Sequence, residues 1–234
     1  MLLNGSHQEQ EGVIKYLLEF DRQAIPDDIS IAFLDQWRHM LFNLALIGQD
    51  PTRYGGLGFG NISCRIQGQE RAFLISGSQT GHRPYLDREH YAVVTEYCPE
   101  NNHLKAYGQC APSSESLTHG VLYGAQKTGV QKAVGAVVHV HCPLIWLHSE
   151  QLNLPATPQN IPYGTPEMAK AVDRLCHKIT QNAHAPVFVM KGHVDGVVSY
   201  GADLESAVMA LLNVYHRALL GSKCHSRVGG NPLL

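Results

Sequence analysis

Ala133–Cys142, AVGAVVHVHC, narrows what this chain can fold into more than any other stretch. Val134, Ala136, Val137 and Val138 form a short apolar run with β preference, long enough for a buried strand and too short for a helix of its own. The run ends in His139 and His141, two residues apart. In a strand, side chains at i and i+2 share a face, so the two imidazoles point the same way and Val140 the other. Two such rings can bind one metal ion, or each can be satisfied by a hydrogen bond at the strand's end.

The chain's 234 residues suffice for one large domain with a sizeable core. A net charge of −2 argues against a nucleic-acid or membrane partner, and no apolar run approaches the length of a bilayer span. The start, MLLNGSHQEQEG, has no basic segment leading into an apolar one, as a secretory signal would. Six cysteines form no CxxC and no regular spacing. That speaks against a disulfide framework or a cysteine-ligated zinc and for a reducing cytoplasm.

Residues 8–21 place Val13, Leu17, Leu18 and Phe20 on one side and are expected to form an amphipathic helix. A second helix is expected from Ser30, as its cap, to a stop at Gly48. Asp50–Gly60, with Gly55, Gly56, Gly58 and Gly60, must turn tightly or approach something closely. It lacks the GxGxxG spacing and leads into a strand, so it is no dinucleotide fingerprint. It reads as a hairpin entry or a loop whose N–H groups face an anion. Arg71–Ser76 reads as a strand ending in the small-residue loop GSQTG, followed by helical turns through LDREHYAVVTEYC; Pro99–Gly108 reads as a surface loop, with a short strand at Lys105–Tyr107 as the alternative.

Pro112-Ser113-Ser114-Glu115 marks the start of a helix, where free N–H groups and the dipole favour an anion. Glu115 there either matches the dipole or does chemistry. His119, one turn on, suits packing or orienting. Pro143–Glu150 reads as a short buried helix, the proline-rich stretch after it as a loop, and Thr165-Pro166-Glu167 as the start of another helix. Ala185–Met190 reads as a core strand, and a further strand with Val197 and Val198 follows His193. Asp203–Leu220 is a strongly amphipathic helix capped by Asp203. The organisation expected is one α/β layered domain over residues 1–220 and a disordered tail at 221–234.

His139, His141 and His193 with Glu115 upstream form a set with an open coordination position, as catalytic rather than structural metal sites have. Cupin barrels also use HxH, but place a glutamate just after it, where this chain has Ile145 and Trp146. The helix between His141 and His193 does not suit a small barrel either.

The order GxGNxS at 58–63, a loop ending Thr80-Gly81, PSSE at 112–115, AVVHVH at 136–141, Gly164-Thr165 and Gly192-His193 resembles the class II aldolase/adducin family over roughly Phe33 to Leu220. The resemblance implies a three-layer αβα sandwich with a central mixed sheet. It implies a divalent ion, zinc above all, on His139, His141 and His193, with Glu115 as acid/base. It also implies a phosphate cradle of Gly60, Asn61, Thr80, Gly81, Ser113 and Ser114. The activity implied is a lyase that cleaves or dehydrates a small hydroxy-carbonyl compound, a sugar phosphate being one such substrate, through an enediolate. The assembly implied is a cytoplasmic homotetramer. A sugar-phosphate epimerase and a non-enzymatic, adducin-like interaction domain are the alternatives. The epimerase usually has Asp where this chain has Glu115. Two departures stand out. Gly192-His193-Val194-Asp195-Gly196 is two residues longer than the family's compact His-Gly motif. The tyrosine that donates a proton in the family's fuculose-phosphate enzyme has no counterpart.

Overall fold

The computed structural model describes residues 13–69, 71–124, 133–181 and 186–226. In chain order its elements are β1 (Leu17–Arg22), α1 (Ala32–Asn43), β2 (Gly48–Gln49), β3 (Gly58–Phe59), β4 (Asn61–Arg65), β5 (Phe73–Ser76), β6 (Tyr91–Cys98) and β7 (His103–Gly108). There follow α2 (Ser116–Gly124), β8 (Ala136–His141), α3 (Pro143–Leu147), β9 (Ala156–Thr157), α4 (Pro166–Gln181), β10 (Val187–Met190), β11 (Gly196–Gly201) and α5 (Leu204–Ser226).

Among the described residues, nine strands form one sheet in the order β1-β7-β6-β5-β4-β8-β11-β10-β9, while β2 and β3 pair separately. The sheet is mixed. Its outer pairs β1–β7 and β9–β10 run parallel, and the inner ones antiparallel. Alternation along the inner strands feeds two cores. Val138, Val140, Leu74, Val93 and Val197 join Leu34 and Leu41 of α1, Ile145 of α3 and Leu211 of α5. Val137, Phe73, Ile75, Val94 and Val198 join Leu117 and Leu122 of α2 and Met168 and Val172 of α4. A sheet between two helical layers results, as expected. His139 and His141 share the face of Val137, the one that α2 covers, and this brings Glu115 towards them.

Four local expectations change. Leu17–Arg22 is an edge strand, not part of a helix. Tyr16 is buried, Leu18 and Phe20 pack against the second core, and Leu17, Glu19 and Asp21 face out. That period of two, fixed by parallel pairing with β7, overrides the looser helical pattern. Residues 8–12 of that reading lie outside the described residues. Ser30 does not cap α1, whose cap position is Ile31 with no side-chain bond, and the helix ends well before Gly48. Ala45 at φ 54° turns the chain, and Leu46 and Ile47 bond back to Leu41 O. Tyr91–Cys98 is a full strand rather than helical turns, with a single 3-10 turn at Arg88–His90 before it. Its β-branched residues are shared between the two cores, which a surface helix would not allow. Of the short helix after His141, only Ile145 is buried and Leu147 is exposed.

Elsewhere the glycine stretch forms the β2–β3 hairpin entry, and most of the stretch read as a surface loop is strand β7 over His103–Gly108, held between β1 and β6. Asp203 Oδ1 accepts the Ser206 N–H at 2.7 Å, the expected cap. The helix that follows runs past Leu220 to Ser226, while the rest of the expected tail and the end of the helix begun at PSSE lie outside the described residues. Cys64, Cys98, Cys110, Cys142 and Cys176 are free thiols. Among the described residues no helix is long and apolar enough to cross a membrane.

Candidate metal centre

His139 and His141 project from the end of β8, opposite Val198 and Gly196 of β11. The turn that joins β10 to β11 folds His193 over them. Its N–H donates to Met190 O at 3.1 Å, and the Gly196 N–H donates to His193 O at 3.0 Å. One ring nitrogen from each histidine can be chosen so that all three lie within 4.8 Å of one another. The rings are nearly sealed from solvent, at 1%, 0% and 3% exposure for His139, His141 and His193.

Burial pushes the His139 and His141 imidazoles well below their ordinary pKa, and the neighbouring His193 adds to the shift. Both are therefore neutral near pH 7 and keep the lone pairs a metal ion needs. His139 Nε2 is buried and has no hydrogen bond among the described residues. Such a nitrogen costs about 1–3 kcal/mol unless something takes it up, and a divalent ion in the cluster would do so. The donor set thus fits an ion bound by three nitrogens.

Glu115 stands just before α2, where its carbonyl accepts the His119 N–H at 3.1 Å. Its Oε2 accepts the Thr118 hydroxyl at 2.9 Å, and Oε1 lies 3.7 Å from His193 Nδ1. The side chain is held at the rim of the cluster by its own helix.

Several groups orient these residues. The Asn61 amide nitrogen lies 3.3 Å from His139 Nδ1. Tyr163 stacks on His193, with ring centroids 4.4 Å apart and 18° between planes. Behind α2, Ser63 Oγ sits 2.7 Å from both His119 Nδ1 and Tyr123 Oη. Burial holds His119 down to a pKa of about 3, so it is a neutral ring beside Ser63. Tyr54 meets His141 edge-on at 4.6 Å, and its hydroxyl donates to Asp195 Oδ2 at 2.6 Å. Neither Tyr54 nor Asp195 stands out in the sequence. The only signal is the extra length that the family resemblance gives the His193 turn.

The other expected site residues lie on three adjoining loops. Gly77 bridges Pro112, and the Gly58 N–H donates to Gln79 Oε1 at 3.1 Å. Gly60 is left-handed, at φ 73°, and a Cβ there would meet Ile47 Cγ1 at 2.9 Å. Gly81 packs against the backbone of Gly48, where no side chain fits. Thr80 Oγ1 donates to Gly77 O at 2.9 Å. Its carbonyl accepts a 3.1 Å bond from Arg38, a buried cation on α1 that sequence reasoning passes over. Ser113 Oγ accepts the Glu115 N–H at 3.3 Å, and Ser114 is buried beside it. Small residues allow these close approaches. Part of their polar capacity already serves the loops themselves.

Residues 52–219 match the sequence profile of the Class II Aldolase and Adducin N-terminal domain. Among solved structures, the chain resembles L-fuculose-1-phosphate aldolase from Thermus thermophilus, with a TM-score of 0.60 and 21% identity over 87% of this chain and 97% of that one. A sugar-phosphate aldolase from Thermotoga maritima gives a TM-score of 0.60 and 18% identity over 86% and 97%. The N-terminal Class II Aldolase domain of a conserved protein from Thermoplasma acidophilum gives 0.51 and 16% over 84% and 95%. At these identities the likeness is one of fold. No curated protein matches the chain significantly by sequence.

Proposed function

Because the chain belongs to the class II aldolase and adducin family, we propose that it is a metal-dependent lyase that cleaves or dehydrates a small hydroxy-carbonyl substrate, phosphorylated or not. The observation that carries this reading is the gathering of three buried imidazoles, with ligand atoms within 4.8 Å of one another, beside the carboxylate of Glu115. His139, His141 and His193 would hold a divalent ion, zinc in the first instance. When bound, such an ion supplies Lewis acidity towards a substrate carbonyl.

The chain's own residues handle the proton and the orientation. In the cleavage direction Glu115 takes a proton from a substrate hydroxyl as the C–C bond breaks and delivers one to the carbon left behind; in the reverse it takes a proton from that carbon and returns one to oxygen. The Thr118 hydroxyl on Oε2 fixes one carboxylate oxygen, which aims the other at the reacting group. His139 and His141 would spend their lone pairs on the ion, which leaves Glu115 as the acid/base beside it. Gly60, Asn61, Thr80, Gly81, Ser113 and Ser114 make up the proposed anion cradle. The adjoining of their three loops supports it, and a substrate phosphate or carboxylate is its ligand. The same reading makes the protein a cytoplasmic homotetramer, and light scattering checks the assembly.

The test is a turnover screen of hydroxy-carbonyl compounds and sugar phosphates. Cleavage or dehydration that chelator abolishes and a divalent ion restores is expected. Turnover that survives complete removal of the metal would contradict the reading.

A further inference from the structure

The His193 turn has a specific use in this chain. It places Asp195 so that Oδ2 accepts the Tyr54 hydroxyl at 2.6 Å, across 141 positions of sequence. Both partners have left-handed backbones, at φ 50° for Tyr54 and 63° for Asp195. A non-glycine residue keeps that conformation where the surrounding contacts over-determine it. Tyr54 is followed by two more left-handed residues, Gly55 and Gly56, so the β2–β3 loop curls to present its ring.

We propose that Tyr54 and Asp195 form a positioning pair that fixes His141 and His193 for the ion, an inference that rests on the metal reading above. Tyr54 touches one ligand and hooks the turn that carries another. Its ring lies edge-on to His141 at 4.6 Å, and Phe59 packs on the same imidazole at 5.5 Å. Its hydroxyl holds Asp195, two residues beyond His193. The Asp195 carbonyl accepts the Cys142 N–H at 2.8 Å, which ties the same turn to the residue after His141. Arg53 closes the arrangement. It donates to Tyr54 Oη at 2.6 Å and lies 3.8 Å from Asp195 Oδ2. The β2–β3 loop and the β10–β11 turn therefore set the ring of one ligand and the backbone of another through the Tyr54–Asp195 hydrogen bond and the Arg53 contact beside it. Groups that orient metal ligands from behind typically alter metal affinity by about 10–100-fold when removed.

The test uses cobalt(II) titrated into metal-free full-length protein, read by its visible absorption bands. Tyr54→Phe keeps the ring and removes the hydroxyl. Asp195→Gly keeps the left-handed backbone and removes the acceptor. Each is expected to weaken cobalt binding by about 10–100-fold and to shift the bands. The double variant should lose less than the sum of the two singles, because the bond between Tyr54 and Asp195 is removed in all three. Melting temperatures of the metal-free proteins check that each is folded, and Tyr54→Phe carries the test if Asp195→Gly does not fold. Wild-type affinity in Tyr54→Phe, unchanged bands, or additive losses would overturn the inference while leaving the metal reading intact, provided His139→Ala abolishes binding. A wild-type protein that takes up no cobalt would overturn both.

Discussion

Glu115 Oε1 lies 3.7 Å from His193 Nδ1, although one residue stands at the start of a helix and the other in a turn 78 positions further along the chain. Both are almost fully buried. The pairing follows from topology. The β8 histidines face the layer that contains α2, and the β10–β11 turn closes over the same edge.

Glu115→Gln keeps the size and the Thr118 contact but cannot accept a proton. Turnover is expected to fall by about 10²–10⁴-fold, with the metal retained. Near-normal turnover with only a lowered melting temperature would reduce Glu115 to a helix-dipole partner. Steady-state rates and metal analysis on the same preparation decide this.

His119 makes metal-free protein sensitive to acid. Its folded pKa is about 3 against an ordinary 6.5. Below pH 6.5 the unfolded chain binds a proton that the folded one refuses, so stability falls with pH until about 3, by roughly 1.4 kcal/mol per pH unit. In urea unfolding between pH 6 and 4, His119→Gln should show a shallower slope than wild type by one proton. Identical slopes would mean that His119 is protonated in the fold.

Gly60→Ala tests the crowding between β4 and β8. The Cβ would meet Ile47 Cγ1 at 2.9 Å and the carbonyls of His139 and Leu46 at 3.1 Å, on a left-handed backbone. Gly68 has a similar φ of 78° and nothing within 4 Å. Gly68→Ala should therefore lose only the backbone preference, about 1 kcal/mol. Gly60→Ala should lose roughly 1–3 kcal/mol more. Thermal denaturation of the two variants reads the difference directly. Equal losses would show that β8 yields at no cost.

How much of this is legible in the sequence depends on the range of each interaction. The HVH strand, the PSSE helix start and His193 are local patterns, and period-two alternation is enough to predict which face of β8 carries its histidines. Asp203 as a cap is equally local. Leu17–Arg22 reads as helix because LLEF satisfies both helical and strand periods, and only its pairing with β7 decides between them. The helix expected to reach Gly48 stops early because Ala45 turns left-handed, a state alanine does not advertise. Tyr54, Arg38 and Asp195 are invisible for a different reason. Each acts through a partner far away in the chain, and an arginine within a helix pattern reads as solvated until its buried bond to Thr80 O is seen.

The most direct measurement is metal content, by elemental analysis, of wild type, His139→Ala and His193→Ala purified without chelator. The account predicts one divalent ion per chain in the wild type and none in either variant, with circular dichroism showing the fold kept. Variants that retain a full ion, or a wild-type protein that holds none after exposure to zinc, would contradict it.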